Sequence, residues 1–341
     1  MTDSYRPLLA ITLGDPAGIG PEVILKALQH ADVYERARPL VIGDRQTLER
    51  AAAWVDATDF TYEVVNEAAE GSYIPGVITL LDLATAPVGG FIIGQETAEA
   101  GEMAVQCVFT ACDLAMAGKV DAVVTAPLNK ASMHMAGHTY PGHTELLAIR
   151  TNADKVSMLL VGPTLRVVHV STHVALEEAI RRVTPERVKQ VIDIAQQSCQ
   201  AFGIEQPRIA VAGLNPHASE GGLFGNQEAT AIVPAISAAR ARGLDVSDPQ
   251  PPDTVFLKAS RGGYDIVVAM YHDQGHIPMK LLAFDEGVNV SVGLPIIRTS
   301  VDHGTAFDIA GTGVASETSM LAAIDVAIQL SQARPRDLRA G

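Results

Sequence analysis

The stretch LLAITLGDPAGIGPE, residues 8–22, sets the architecture. Leu8 to Leu13 is an apolar run of strand length, and Gly14 to Gly20 is a turn rich in glycine and proline. Pro21 then falls where a helix begins, since a residue in the first helical turn has no intrahelical amide bond to lose. Strand, turn and helix in immediate succession open an α/β unit. The glycines at 14, 18 and 20 do not follow the GxGxxG order, and Asp15 and Pro16 occupy the turn. The segment therefore reads as a turn that shapes a cleft rather than as a dinucleotide fingerprint.

The alternation continues outward. Leu40–Ile42 reads as a strand followed by a helix capped by Asp44, Gly76–Leu83 as a strand, residues 95–117 as a helix and Asp121–Thr125 as a strand. Further strands are expected at Val156–Val161, Arg166–Val170, Arg208–Ala212 and Asp265–Met270. Helices are expected from Thr184 to Phe202 and from Ser316 to Leu330. At 341 residues the chain is about twice a common domain length. Two α/β domains are expected: a discontinuous terminal one, 1–130 with 285–341, and a central one, 131–284, carrying the candidate metal ligands.

Composition narrows the class. A 48% hydrophobic content with 19% charged residues can fill a core without metal or disulfide staples. The 39 acidic residues against 25 Lys and Arg give a net charge of −14, which argues against nucleic-acid or anionic-membrane partners. Cys107, Cys112 and Cys199 show no CxxC spacing and suit a reducing compartment. With no leader-like start and no long apolar run, a cytoplasmic protein outside the membrane is expected.

Three histidines, His173, His217 and His272, each follow an inferred strand, and neighbouring strand ends converge in α/β sheets. They could present neutral imidazoles to a divalent ion while leaving positions open for substrate; equally, each could satisfy local hydrogen bonds. His169, His134, His138 and His143 widen the set. In MYHDQGHIPMK, residues 270–280, Asp273, His276 and Lys280 lie close to His272. Lys280 could bind an anion, transfer a proton or simply face solvent. Asn289 and Arg298 offer an amide and a guanidinium for hydroxyl, carboxylate or phosphate oxygens, or anchor their loop. Asp253 could assist proton transfer or cap a helix. No GxSxG or HExxH motif is present, and Ser219 beside His217 has no identified third partner, which disfavours a covalent hydrolase.

The ordered set GDPAGIGPE, TAPLNK, GHTE, STH, AGLNPHASEGG, AMYHDQGH and GVNVSVGLPIIRTSVDHGTAFDIAG covers nearly the whole chain. It resembles the 4-hydroxythreonine-4-phosphate dehydrogenase family of pyridoxal-phosphate biosynthesis, and a related branch acting on 4-phospho-D-threonate or 4-phospho-D-erythronate. The resemblance implies a two-domain fold like that of isocitrate and isopropylmalate dehydrogenases, with an interdomain cleft and a homodimer sharing its active sites. It implies NAD as cofactor and a divalent metal (zinc, magnesium, manganese or cobalt) on His173, His217 and His272. Substrate contacts are implied at His143, Thr144, Lys280, Asn289 and Arg298; the residue chemistry itself offers Lys280 and Asp253 for proton transfer.

The implied reaction oxidises a phosphorylated four-carbon hydroxy acid at its secondary hydroxyl, after which the β-keto acid loses carbon dioxide. With 4-phosphooxy-L-threonine the product is 3-amino-2-oxopropyl phosphate; with the D-threonate or D-erythronate phosphate it is dihydroxyacetone phosphate. TAPLNK and GHIPMK depart from the TGPVHK and GLPVLK forms of a biosynthetic member, which leans toward the threonate or erythronate branch; either change could instead alter packing, and the substrate stays divided between the branches. A metabolite-binding regulator without turnover is the alternative of a different class.

Overall fold

The computed structural model describes residues 5–335 and residue 340; residues 1–4, 336–339 and 341, at the ends of the expected terminal domain, lie outside the described residues. In chain order the strands are β1 (Leu8–Thr12), β2 (Arg38–Gly43), β3 (Thr61–Val64), β4 (Val77–Asp82), β5 (Ala122–Thr125) and β6 (Ser157–Val161). They continue with β7 (Arg166–His169), β8 (Ile209–Ala212), β9 (Val246–Gln250), β10 (Ile266–Ala269), β11 (Val288–Val292) and β12 (Ile297–Val301).

The chain divides into two compact units: one runs to Asp154 and resumes at Leu294, and the other is Lys155–Gly293. The crossings expected near residues 130 and 285 fall instead after Asp154 and Gly293. The reason is local packing. A Cβ on Gly101 would lie 2.0 Å from the Ser132 carbonyl oxygen, so the Lys130–Met135 helix docks backbone to backbone on the Ala98–Met116 helix. Arg150 pairs with Asp113 on that same long helix and so holds the His143–Arg150 helix to it. The Gly- and Pro-rich segment between the two short helices is a turn inside the first unit.

In the first unit the strand order is β3-β4-β2-β1-β5-β12, with every adjacent pair parallel. β1 and β5 are wholly buried, as strands covered on both faces require, and their residues are accordingly apolar apart from the terminal threonines. The chain order reverses between β1 and β5, so the turn after β1, the TAPLNK loop after β5 and the DHGT loop after β12 leave adjacent strand ends.

The glycines of the opening turn serve this junction. Gly14 has φ +71°, and a Cβ there would stand 2.3 Å from the Pro127 carbonyl oxygen, while the Asp15 amide donates to that same oxygen at 2.8 Å. A Cβ on Gly18 would lie 2.8 Å from the Thr305 carbonyl oxygen. The helix Gly20–Gln29 then grips the following loop: buried Glu22 accepts the Gly311 and Gly313 amides, and Lys26 donates to the Gly313 and Ala315 carbonyls.

In the second unit the order is β11-β6-β7-β10-β8-β9. β7, β10, β8 and β9 are parallel, whereas β6 runs antiparallel to both β7 and β11. Leu160, Val167, Ala210, Val267 and Met279 share its buried core. Asp44 and Thr184 cap their helices as the sequence predicts, through the Thr47 and Arg187 amides. The sequence reading sets no bounds for β11 and β12, and it lacks β3 and β9 altogether. Both are edge strands with largely unburied residues, and β9 contains Pro249, so neither carries the apolar run that marks a central strand.

The two kinds of glycine separate in a mutational test. Gly118 also has positive φ, +68°, but a Cβ there meets open space. Gly118→Ala should cost about 1–2 kcal/mol, the penalty of a left-handed alanine. Gly14→Ala should cost about 1–3 kcal/mol more, because Pro127 has to yield. Urea unfolding of both variants measures the difference, and equal losses would refute the docking role of Gly14.

Candidate active site

The first unit gathers basic groups at the strand ends. Arg298, within β12, is 2% exposed and donates from Nη2 to Thr125 Oγ1 at 2.6 Å. Burial pushes its guanidinium down to about 9, opposed by Glu145, so the group stays cationic at neutral pH. His143 opens the His143–Arg150 helix. Part of the residue meets solvent, but Nε2 does not and has no hydrogen-bond partner among the described residues. Burial first, then the charges of Arg298 and Lys130, hold its imidazole well below the usual histidine range. His143 is therefore a neutral ring beside two cations, with a buried nitrogen left for a ligand.

Thr144 follows in the first turn, where exposed helix amides favour anions. Lys130 begins its own helix, which Asn129 caps through the Ser132 amide at 2.9 Å. Asp15 lies fully buried behind this group, its Oδ1 accepting the Ala17 amide; burial raises its carboxyl toward the neutral form. The arrangement can receive the oxygens of a phosphate or carboxylate.

The second unit gathers imidazoles. β7, β10 and β8 are adjacent, and His173, His272 and His217 lie beyond their respective C-terminal ends. The His173 and His272 rings are 5.4 Å apart between centroids. His272 Nδ1 lies 2.7 Å from Asp273 Oδ1; the carboxylate can only accept, so Nδ1 carries a proton and Nε2 is the nitrogen left to face a ligand. His217 stands exposed on a run of left-handed residues, His217 to Gly221, beside Phe224. Among the described residues no three His, Cys, Asp or Glu side chains are gathered as a metal site. The donor chemistry nevertheless fits a divalent ion: two neighbouring imidazoles, one with its tautomer set, and a third on the loop of the adjacent strand.

Two residues outside the sequence-based set build this region. Glu228, 3% exposed, accepts the Leu214 and Asn215 amides at 2.8 Å each and the Asn215 side chain at 2.9 Å, anchoring the loop that bears His217. Gln274 accepts from the Met270 amide and donates to the Gly213 carbonyl, both at 2.7 Å, joining the loops after β10 and β8. Neither belongs to a signature by itself; their side-chain-to-backbone bonds emerge only in the fold.

The remaining expected residues are spread out. Asn289 lies on β11 with a buried Oδ1 that has no hydrogen-bond partner among the described residues. Lys280 is in the last turn of the His272–Leu282 helix, its Nζ 5.3 Å from the Phe284 ring centroid. Asp253 is exposed in the turn before the Val255–Ser260 helix, with no hydrogen bond or ion pair of its carboxylate among the described residues.

A sequence profile described as pyridoxal phosphate biosynthetic protein PdxA matches residues 35–327. The chain belongs to the PdxA family. It is 51% identical to the D-threonate 4-phosphate dehydrogenase of Salmonella typhimurium over 95% of this chain and 98% of that one. It is 50% identical to the 4-hydroxythreonine-4-phosphate dehydrogenase of Desulfosudis oleivorans over 95% and 96%. The solved 4-hydroxythreonine-4-phosphate dehydrogenase of Klebsiella pneumoniae superposes with a TM-score of 0.89 at 46% identity, covering 97% of this chain and all of that one. A terephthalate 1,2-cis-dihydrodiol dehydrogenase from Burkholderia xenovorans superposes at 0.67 with 33% identity, over 95% and 98%. Both curated relatives are named as dehydrogenases of 4-phosphorylated substrates.

The neutral state of His143 has a thermodynamic signature. In the unfolded chain its imidazole takes a proton near pH 6.5, and in the fold only at far lower pH. The unfolded state binds more protons in that window, so His143 lowers stability as pH falls below about 6.5, by up to about 1.4 kcal/mol per pH unit. Urea unfolding between pH 7 and 5 should show a shallower dependence for His143→Gln than for the wild type. Identical slopes would mean that His143 takes up its proton as readily in the fold as in the unfolded chain.

Proposed function

We propose that the chain is an NAD-dependent, divalent-metal-dependent dehydrogenase that oxidises and decarboxylates 4-phospho-D-threonate or 4-phospho-D-erythronate to dihydroxyacetone phosphate. 4-Phosphooxy-L-threonine is the alternative substrate. The observation that carries the reading is the neutral, ligand-ready His143 beside buried Arg298, a receptor for anionic oxygen, on a chain that also carries a row of imidazoles. The similarity to D-threonate 4-phosphate dehydrogenases supports the threonate branch. Near-equal identity to a 4-hydroxythreonine-4-phosphate dehydrogenase keeps the amino substrate in the test.

In this reading Arg298, His143, Thr144 and the nearby Lys130 bind the substrate's anionic groups, with fork-like donation from Arg298 setting orientation. Asn289 accepts a hydrogen bond from a substrate hydroxyl through its buried Oδ1. His173, His217 and His272 would hold the divalent ion, which would supply charge stabilisation for a substrate oxygen, while NAD would supply the hydride acceptor. Lys280 moves the proton, taking it from the reacting hydroxyl and returning one to the carbon that loses carbon dioxide. Asp253, exposed in the turn before the Val255–Ser260 helix, assists the proton transfer or orients a histidine in the same reading.

A homodimer belongs to the same proposal. Ile277 and Leu281, one helical turn apart on the helix that begins with His272, are 57% and 82% exposed, and Phe284 just beyond is 71% exposed. Such an apolar face beside candidate ligands suits cover by a second copy that completes the metal site, as the family resemblance implies. The three buried free cysteines suit the reducing cytoplasm.

Parallel assays of NADH and carbon dioxide formation with the three phosphorylated acids test the reading. Turnover of the D-threonate or D-erythronate phosphate is expected. Turnover of the L-threonine phosphate alone would move the chain to the other branch, and saturable binding without turnover would favour a regulator. His173→Ala, His217→Ala and His272→Ala should each weaken metal binding at least about tenfold, measured by chelator competition. Arg298→Gln should raise KM about tenfold or more through loss of a charged hydrogen bond; an unchanged KM would remove Arg298 from substrate capture.

A further inference from the structure

We propose that His276 is the positioning residue for His272, fixing the plane and direction of that imidazole; this rests on the reading of His272 as a metal ligand. The two rings lie nearly parallel, 11° apart, with centroids at 3.6 Å. His276 Nδ1 lies 3.0 Å from the His272 carbonyl oxygen. That oxygen can only accept, so Nδ1–H donates and the bond fixes the His276 ring about its own side-chain torsions. A flat, hydrogen-bonded ring stacked on a second ring removes the freedom of the second to rotate out of plane.

The support continues behind His276. His169, at the end of β7 and 1% exposed, also packs against the His276 ring, with centroids 4.8 Å apart and an interplanar angle of 41°. His169 Nδ1 is 3.3 Å from the Met158 carbonyl oxygen on β6, which ties this ring to the sheet. The approach requires glycine at 275, where a Cβ would lie 2.3 Å from His169 Nε2 and 2.7 Å from Val167 Cγ1. Gln274 fixes the start of the same helix through Met270 and Gly213. The stack from His169 through His276 to His272 therefore transmits the rigidity of the sheet to a side chain on a helix N-terminus. From the other direction, Asp273 sets the His272 tautomer. Tautomer and ring plane are thus fixed by different residues, and outer partners of this kind change metal affinity by about ten- to a hundredfold.

A leucine at position 276, as in the GLPVLK form of the motif, would fill space but offer neither a planar face nor a donor. His276→Leu and His276→Ala should weaken metal binding about tenfold and change the visible absorption of the cobalt(II)-substituted protein. His276→Phe, which keeps the stacked ring, should restore most of the affinity. A second readout needs no metal: long-range imidazole nitrogen NMR of the metal-free protein should show the His272 ring shifted in His276→Asn, a variant that keeps a donor and close to native volume. His272→Ala is the reference. If it abolishes metal binding while His276→Leu and His276→Ala keep wild-type affinity and cobalt spectrum, the positioning role is overturned and the ligand role stands. If His272→Ala leaves metal binding unchanged, both fall.

Discussion

The contact between the opening turn and its neighbouring loops, made backbone to backbone, is the constraint on which the first unit depends. Gly14 meets Pro127 and Gly18 meets Thr305 without an intervening Cβ. Any side chain at these points would push apart the loops that leave β1, β5 and β12. Because the parallel strands place those loops side by side, Arg298, Thr125, His143 and Lys130 come together from distant parts of the sequence. The glycines that resemble a nucleotide fingerprint act here as spacers between peptide groups. Glu22 and Lys26 extend the same grip to the Gly311–Ala315 loop.

Burial then shapes the chemistry in opposite senses for different groups. Desolvation keeps His143 neutral and weakens the proton affinity of Arg298, yet the guanidinium retains its charge because its unperturbed value is so high. The outcome is a cation and a neutral hydrogen-bonding ring side by side. In the second unit burial also pushes His169 down to about 3, leaving it a neutral packing element behind its neighbours. His143, His169 and the candidate ligands therefore occupy three different environments, beside cations, packed in the interior and at the strand ends, a division invisible in their spacing.

Much of the architecture was legible because buried parallel strands carry continuous apolar runs and helix starts carry caps. Leu8–Thr12, Ala122–Thr125 and Ile266–Ala269 are such strands, and Asp44 and Thr184 are such caps. Thr61–Val64 and Val246–Gln250 escaped because edge strands need little apolar sequence. The first domain crossing was misplaced because a turn within a unit and a crossing between units use the same residues; what distinguishes them is packing, here Gly101 on Ser132 and Arg150 on Asp113. For the site, histidines and arginine announce their chemistry by type. Glu228, Gln274 and the stacking of His276 do not, since their significance lies in what they touch.

The amide of Gln274 spans the loops after β8 and β10, which carry His217 and His272. An ionic tie at that place would titrate, draw counter-ions and offer its own oxygen to a cation. A carboxamide does none of these things: it carries no net charge at any physiological pH and coordinates metals poorly. The link that Gln274 makes between the two histidine-bearing segments is thereby itself indifferent to acidity and salt, unlike the carboxylate of Glu228 that anchors the His217 loop.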